Sequence, residues 1–102
     1  MHHSPLTALI MVALLAAVGA AQAAGDVAAG KTKAAGCLGC HGADGKGVGP
    51  NPALAGKPEA QLLQALQDYK SGKRANALKK GITSSLSDQD MANLAAYFAS
   101  LK

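Results

Sequence analysis

The sequence predicts an all-α domain of three main helices, and three observations carry that expectation. Apolar residues recur at spacings of three and four near the middle and at the C-terminal end. No stretch alternates apolar and polar residues for long enough to make a strand. One loop, dense in glycine and proline, interrupts the helical patterns between Gly42 and Gly56.

The first helix is expected over Asp26 to Ala35. Asp26 can accept from the free amides of a first turn, the following residues tolerate helix, and Gly36 stops it. The loop then carries Gly42, Gly45, Gly47, Gly49, Pro50, Pro52 and Gly56, which sustain neither helix nor paired strand. Pro58 stands where a helix needs no amide donor, and Leu62, Leu63, Leu66 and Tyr69 form one stripe that ends at Gly72. This is the second helix. The third opens at Ser87-Asp88-Gln89-Asp90, a capping arrangement, and lines up Met91, Leu94, Tyr97, Phe98 and Leu101 on one face.

Length and composition narrow the reading further. A chain of 102 residues has room for one small domain, and 23 alanines against 3% aromatics leave the middle of its core short of bulky side chains. Domains of this size recruit a disulfide, a metal or a cofactor. A net charge of +4 with so few aromatics gives nucleic-acid binding little support. The N-terminus is expected to serve export. Ala8 to Val18 is an apolar run too short to span a bilayer, followed by Ala21-Gln22-Ala23, which suits signal peptidase. Residues 1–23 are therefore read as a signal peptide and 24–102 as the mature domain, located in the periplasm. The segment before the run has no Lys or Arg, so retention as an anchor is the competing reading. Cleavage would leave His41 as the mature chain's one histidine.

Chemistry concentrates in Cys37-Leu38-Gly39-Cys40-His41. Two thiols three positions apart can add across the vinyl groups of one haem while the adjacent imidazole reaches the iron, provided the five residues curl as the start of a helix. A plain Cys37–Cys40 disulfide fits an exported chain but explains neither His41 nor the empty core. A thioredoxin-like pair lacks its βαβ context, and a structural zinc site lacks a fourth ligand. One covalent haem c, attached through Cys37 and Cys40 with His41 as proximal ligand, accounts for both the motif and the composition.

From Ala24 to Lys102 the sequence resembles the class I cytochromes c, particularly the small periplasmic single-haem kind. The resemblance implies their fold, with the helices packed around the haem. It matches Gly30 and Tyr97 to a close crossing of the first and last helices. It matches Pro50 to the proline whose carbonyl accepts the second proton of the haem-ligating histidine, and Leu54 to a leucine on the haem face. The pattern departs at the sixth ligand. Relatives place a methionine between the second helix and the Leu-Ser-Asp signature, whereas Lys73 to Leu86 has none and the corresponding position is Lys79. Met91 lies beyond Ser87 and reads as core. Ligation by lysine requires a neutral amine, at a cost of roughly 4–5 kcal/mol at neutral pH, which burial reduces and ferric iron offsets. Lys80, Met91 and an open site are the alternatives.

The functional expectation is a one-electron carrier rather than an enzyme, since no nucleophile, base or oxyanion constellation is apparent. A ligand-binding or sensing haem protein with a labile sixth position, or a haem subunit of a periplasmic oxidoreductase, is the alternative. Lys70, Lys73, Arg74, Lys79 and Lys80 cluster near the expected haem edge and would steer an acidic periplasmic redox partner. No stable membrane insertion is expected after cleavage.

Overall fold

A computed structural model describes residues 24–102; the proposed signal peptide lies outside the described residues. Five helices follow in order: α1 Val27–Lys33, α2 Ala35–His41, α3 Glu59–Ser71, α4 Ala77–Thr83 and α5 Asp88–Ser100. No strand forms among the described residues, and pairing is limited to an isolated bridge between Val48 and Asn51. The all-α expectation holds, with the C-terminal helix at its centre.

α5 starts on a complete capping box. The Ser87 hydroxyl accepts from the Asp90 amide, and the Asp90 carboxylate accepts from the Ser87 amide, each at 3.0 Å. The bond from the Ser87 amide holds the Asp90 carboxyl below its usual range, partial desolvation opposes it, and Lys33 at 3.5 Å adds a little. The stability this lends is present above the ordinary carboxylate range and is lost as pH falls through the lowered value. Behind the cap, every residue from Met91 to Phe98 is buried. A helix covered on all sides has neighbours on all sides. α1 crosses one side, α3 packs on another, and Leu94, Ala95 and Phe98 face a cleft.

Small side chains let α1 come close to α5. A methyl group at Gly30 would overlap the Asn93 carbonyl and stand 2.8 Å from Tyr97 Cβ, which is too near for any real contact. The Asn93 side chain locks the crossing, its amide oxygen accepting from the Asp26 amide and from Gln89, both at 2.8 Å. Asp26 caps α1 as its sequence predicts, through a bond from the Ala29 amide.

Three features differ from the sequence expectation. The first helix ends at Lys33, before the fully buried Ala34, and a second begins at once and carries Gly36 in its interior. The Cys37–His41 segment accordingly forms the last turns of α2 rather than the start of a helix. The segment read as a loop from Lys73 to Leu86 contains α4, capped by Asn76, whose side chain accepts from the Lys79 amide at 3.0 Å. Ala77-Leu78-Lys79-Lys80 has good helix propensity, but a helix this short depends on its cap and its packing against α3.

Gly30→Ala is expected to lower stability by about 2–4 kcal/mol, because two backbones and Tyr97 must separate. Gly36→Ala, at a helical position with open space around it, is expected to raise stability by about 0.5–1 kcal/mol. Thermal unfolding of both variants beside the parent chain measures the contrast.

Candidate functional site

α2 delivers the Cys-x-x-Cys-His segment to the edge of a cleft enclosed by α3, α4, α5 and the glycine-rich loop. The cleft encloses about 590 Å³, its mouth included. Leu54, Leu62, Leu66, Leu94 and Phe98 make its walls almost wholly apolar. Cys37 lies at this edge, half-buried, and Cys40 is exposed; the two do not form a disulfide with each other. Burial pushes the Cys37 thiol up, with the charge on Lys79 opposing and Cys40 adding to the shift.

His41 is 2% exposed. Its Nδ1 donates to the Pro52 carbonyl at 2.7 Å, which leaves Nε2 with its lone pair turned into the cleft. The sequence resemblance points to Pro50 for this carbonyl, and the structure places Pro52 there instead. Val48 and Asn51 bridge across a tight turn with Gly49 in the left-handed region, so Pro50 sits exposed at the tip and Pro52 is the first proline to return toward His41. Pro50 still borders the outer part of the cleft, and Leu54 lines it throughout.

Lys79 enters from the opposite side. Its Nζ donates to His41 Nε2 at 2.5 Å, so an amine and an imidazole nitrogen face one another within apolar walls. α4 makes this possible by directing Lys79 inward while Leu78 faces outward, 67% exposed, and Ile82 lies at the rim of the cleft, 39% exposed. Thr83, buried at 2% exposure, donates its hydroxyl to the Lys79 carbonyl at 2.7 Å and steadies that turn. Nothing in the sequence singled out Thr83.

The other basic residues divide by direction. Lys80 lies over Gly72 at the C-terminal end of α3, its Nζ 3.3 Å from where a Cβ would stand there, and so points away from His41. Lys70 donates to the Leu86 carbonyl. The Arg74 guanidinium lies 4.8 Å above the Tyr69 ring. Met91 is packed in the core cluster with Leu94 and Phe98, at 2% exposure, and does not line the cleft.

These residues fit a haem. The cleft offers apolar faces, a thiol pair at one edge and two nitrogen donors on opposing sides. Metal–nitrogen bonds of about 2 Å each would require the two nitrogens to part to about 4 Å. The lysine side chain is long and flexible, and α4 is short and capped at one end by a single side chain, so that movement is local.

Comparison with known proteins agrees with the cleft. The family model described as Cytochrome c matches residues 27–102. Cytochrome c4 of Pseudomonas aeruginosa is 54% identical over 89 residues, covering 86% of this chain and 44% of the relative. Cytochrome c-554(548) of Halomonas halodenitrificans is 41% identical over 81 residues, covering 76% of this chain and 98% of the relative. The crystal structure of reduced cytochrome c4 from Pseudomonas stutzeri superposes with a TM-score of 0.73 at 44% identity, over 78% of this chain and 47% of that one. The chain spans about half the length of the cytochromes c4 that it matches. A family model over three quarters of the sequence, together with a relative matched along nearly its whole length, places the chain in the cytochrome c family, with covalently bound haem c as its cofactor.

Proposed function

We propose that the chain is a periplasmic one-electron carrier holding a single haem c through thioether bonds to Cys37 and Cys40, with His41 as proximal and Lys79 as distal ligand. The observation that carries this reading is the pair of nitrogens, His41 Nε2 and Lys79 Nζ, facing one another inside an apolar cleft. When bound, the haem iron supplies the one-electron couple.

The chain's residues do the rest. The Pro52 carbonyl fixes the His41 ring and its tautomer, so the imidazole presents Nε2 without reorganisation. Leu54, Leu62, Leu94 and Phe98 keep water from the faces of the cleft, which limits the solvent rearrangement that accompanies a change of charge. Lys79 must release an Nζ proton to ligate, and its Nζ already stands 2.5 Å from His41 Nε2 among apolar side chains. If His41 and Lys79 both held the iron, no coordination position would be left for a substrate, which favours a carrier over a ligand-binding protein. The direction of the other candidates supports Lys79 as well: Lys80 turns toward α3, and Met91 is enclosed in the core.

The partner surface is proposed around α4. Leu78 and Ile82 are exposed apolar residues, and Lys73, Arg74 and Lys80 are exposed cations close to them in the chain. The five-residue basic collar expected from sequence is reduced, because Lys70 and Lys79 turn inward. An acidic redox protein fits the remaining surface, and its association should weaken with salt. No helix among the described residues is long and apolar enough to cross a membrane. Residues 1–23 lie outside the described residues, and their role as a cleaved signal is inferred from their sequence.

Three outcomes follow from this reading. With Cys37 and Cys40 both changed to Ala, haem should extract into acidified organic solvent, whereas in the parent protein it should stay with the chain. Mass spectrometry of the exported protein should find a chain starting at or next to Ala24 plus one haem; an intact chain confined to membranes would make the segment an anchor. The parent ferric protein should be low-spin without the charge-transfer band of a thioether ligand. Lys79→Met should restore that band and raise the reduction potential, since a thioether favours the ferrous state more than an amine does. Lys79→Ala should become high-spin and take up CO once reduced. An unchanged Lys79→Ala spectrum would exclude Lys79, and a parent protein that is already high-spin would favour a ligand-binding haem protein.

A further inference from the structure

The chain from Gly72 to Leu86 forms a strap along one side of the cleft, with α4 as its middle. It leaves the C-terminal end of α3 and returns at Ser87, the cap of α5. Among the described helices α4 packs on α3 alone, so the strap depends on how its two ends are held. At the first end the Arg74 amide donates to the Asp68 carbonyl at 3.0 Å, and the Asn76 side chain caps α4. At the second end the holding group is a side chain. Lys70, in the last turn of α3, donates from Nζ to the carbonyl of Leu86, 16 residues further on.

Lys70 stands one turn beyond Leu66 and two beyond Leu63, on the face of α3 whose leucines pack against the core. A lysine at such a place ordinarily lays its stem over apolar side chains and carries its ammonium out to water. Here the ammonium stops at a backbone oxygen instead, beside a leucine that is 7% exposed. A charged donor makes this bond stronger than one between neutral groups.

We propose that Lys70 is a positioning residue that holds the strap closed over the distal side of the cleft, an inference that rests on the haem reading and on Lys79 as distal ligand. From the carbonyl it clasps, two hydrogen bonds lead to Lys79. The Leu86 amide donates to the Thr83 carbonyl at 3.0 Å, and the Thr83 hydroxyl donates to the Lys79 carbonyl at 2.7 Å. Thr83 and Leu86 are both buried and both line the cleft, so water does not compete for these links. Lys79 Nζ in turn faces His41 Nε2. Lys70 touches neither the cleft nor Lys79; it acts by fixing the corner from which the strap would otherwise lift. A closed strap sets how rarely Lys79 withdraws, and so how slowly an external ligand enters.

The test is the rate at which imidazole in excess replaces the distal ligand of the ferric holoprotein, followed by stopped-flow absorbance. Where a side chain must leave first, the rate rises with imidazole concentration to a plateau, which is the opening rate of the strap. Lys70→Met keeps the stem and removes the donor; it should raise the plateau about ten- to a hundredfold and leave the ferric spectrum before mixing as in the parent. Lys70→Arg keeps a charged donor and should stay close to the parent value. Thr83→Val breaks the next link with little change of shape and should also raise the plateau, so it decides the matter if Lys70→Met holds no haem. Gly30→Ala weakens the crossing of α1 and α5 and should lower stability without moving the plateau. An unchanged plateau in Lys70→Met would overturn the assignment, as would an equal rise in Gly30→Ala, which would mark a general loss of stability. A parent protein that takes up imidazole with no plateau would instead overturn the reading of Lys79 beneath it.

Discussion

The approach of α1 to α5 at Gly30 is the contact on which the rest of the structure depends. Two helices can meet backbone to backbone only where one lacks a side chain, and here the absent Cβ faces the Asn93 carbonyl and Tyr97. Once α1 is fixed, Ala34 fixes the corner into α2, and α2 carries Cys37, Cys40 and His41 at a set distance from α5. The Asn93 side chain, bonded to both Asp26 and Gln89, ties this crossing to the start of α1. The placement of α2 and its histidine is thus set some way from the chemistry, by the packing of α1 on α5, while the Pro52 carbonyl orients the ring.

The second constraint is how lysines are spent. Lys70, Lys79 and Lys80 are close in sequence and alike in chemistry, yet one secures the Leu86 carbonyl, one faces His41 and one lies over the end of α3. Helical direction makes the difference between Lys79 and Lys80, since adjacent residues on a helix point about 100° apart. Leu78 consequently faces solvent while Ile82, one turn on, reaches the rim of the cleft, and the same short helix offers an amine to the interior and an apolar side chain to solvent. Thr83 supports the inward face by bonding to the Lys79 carbonyl.

The cleft also shows how a chain with a single Phe and two Tyr builds an interior. α5 buries eight consecutive residues, several of them alanines that let α1 approach. The remaining space is walled by leucines and Phe98 and is left for a large apolar ring to fill. Apart from His41, Lys79 and Thr83, polar side chains gather at one end, where Arg74, Lys57 and a group of amides stand.

The sequence by itself determined the all-α class, the ends of α3, the capping box of α5, the Asp26 cap and the Cys-x-x-Cys-His unit, because each is written in local spacing or in a residue type with one conformational use. Gly30 and Tyr97 were legible through resemblance, as was the lack of a methionine between Lys73 and Leu86, the segment that holds Lys79. Tertiary structure decided what local signals leave degenerate. Pro50 and Pro52 are both prolines of one loop, and only the turn closed by Val48 and Asn51 sends the Pro52 carbonyl to His41. α4 is too short to be stable alone, so its existence rests on the Asn76 cap and on α3 behind it. Arg74 has no motif, and its place at the mouth of the cleft follows from the turn at Gly72 and the face of Tyr69. Residues far apart in sequence meet only when the chain closes, and a choice between two equivalent neighbours is made by which one the packing points inward.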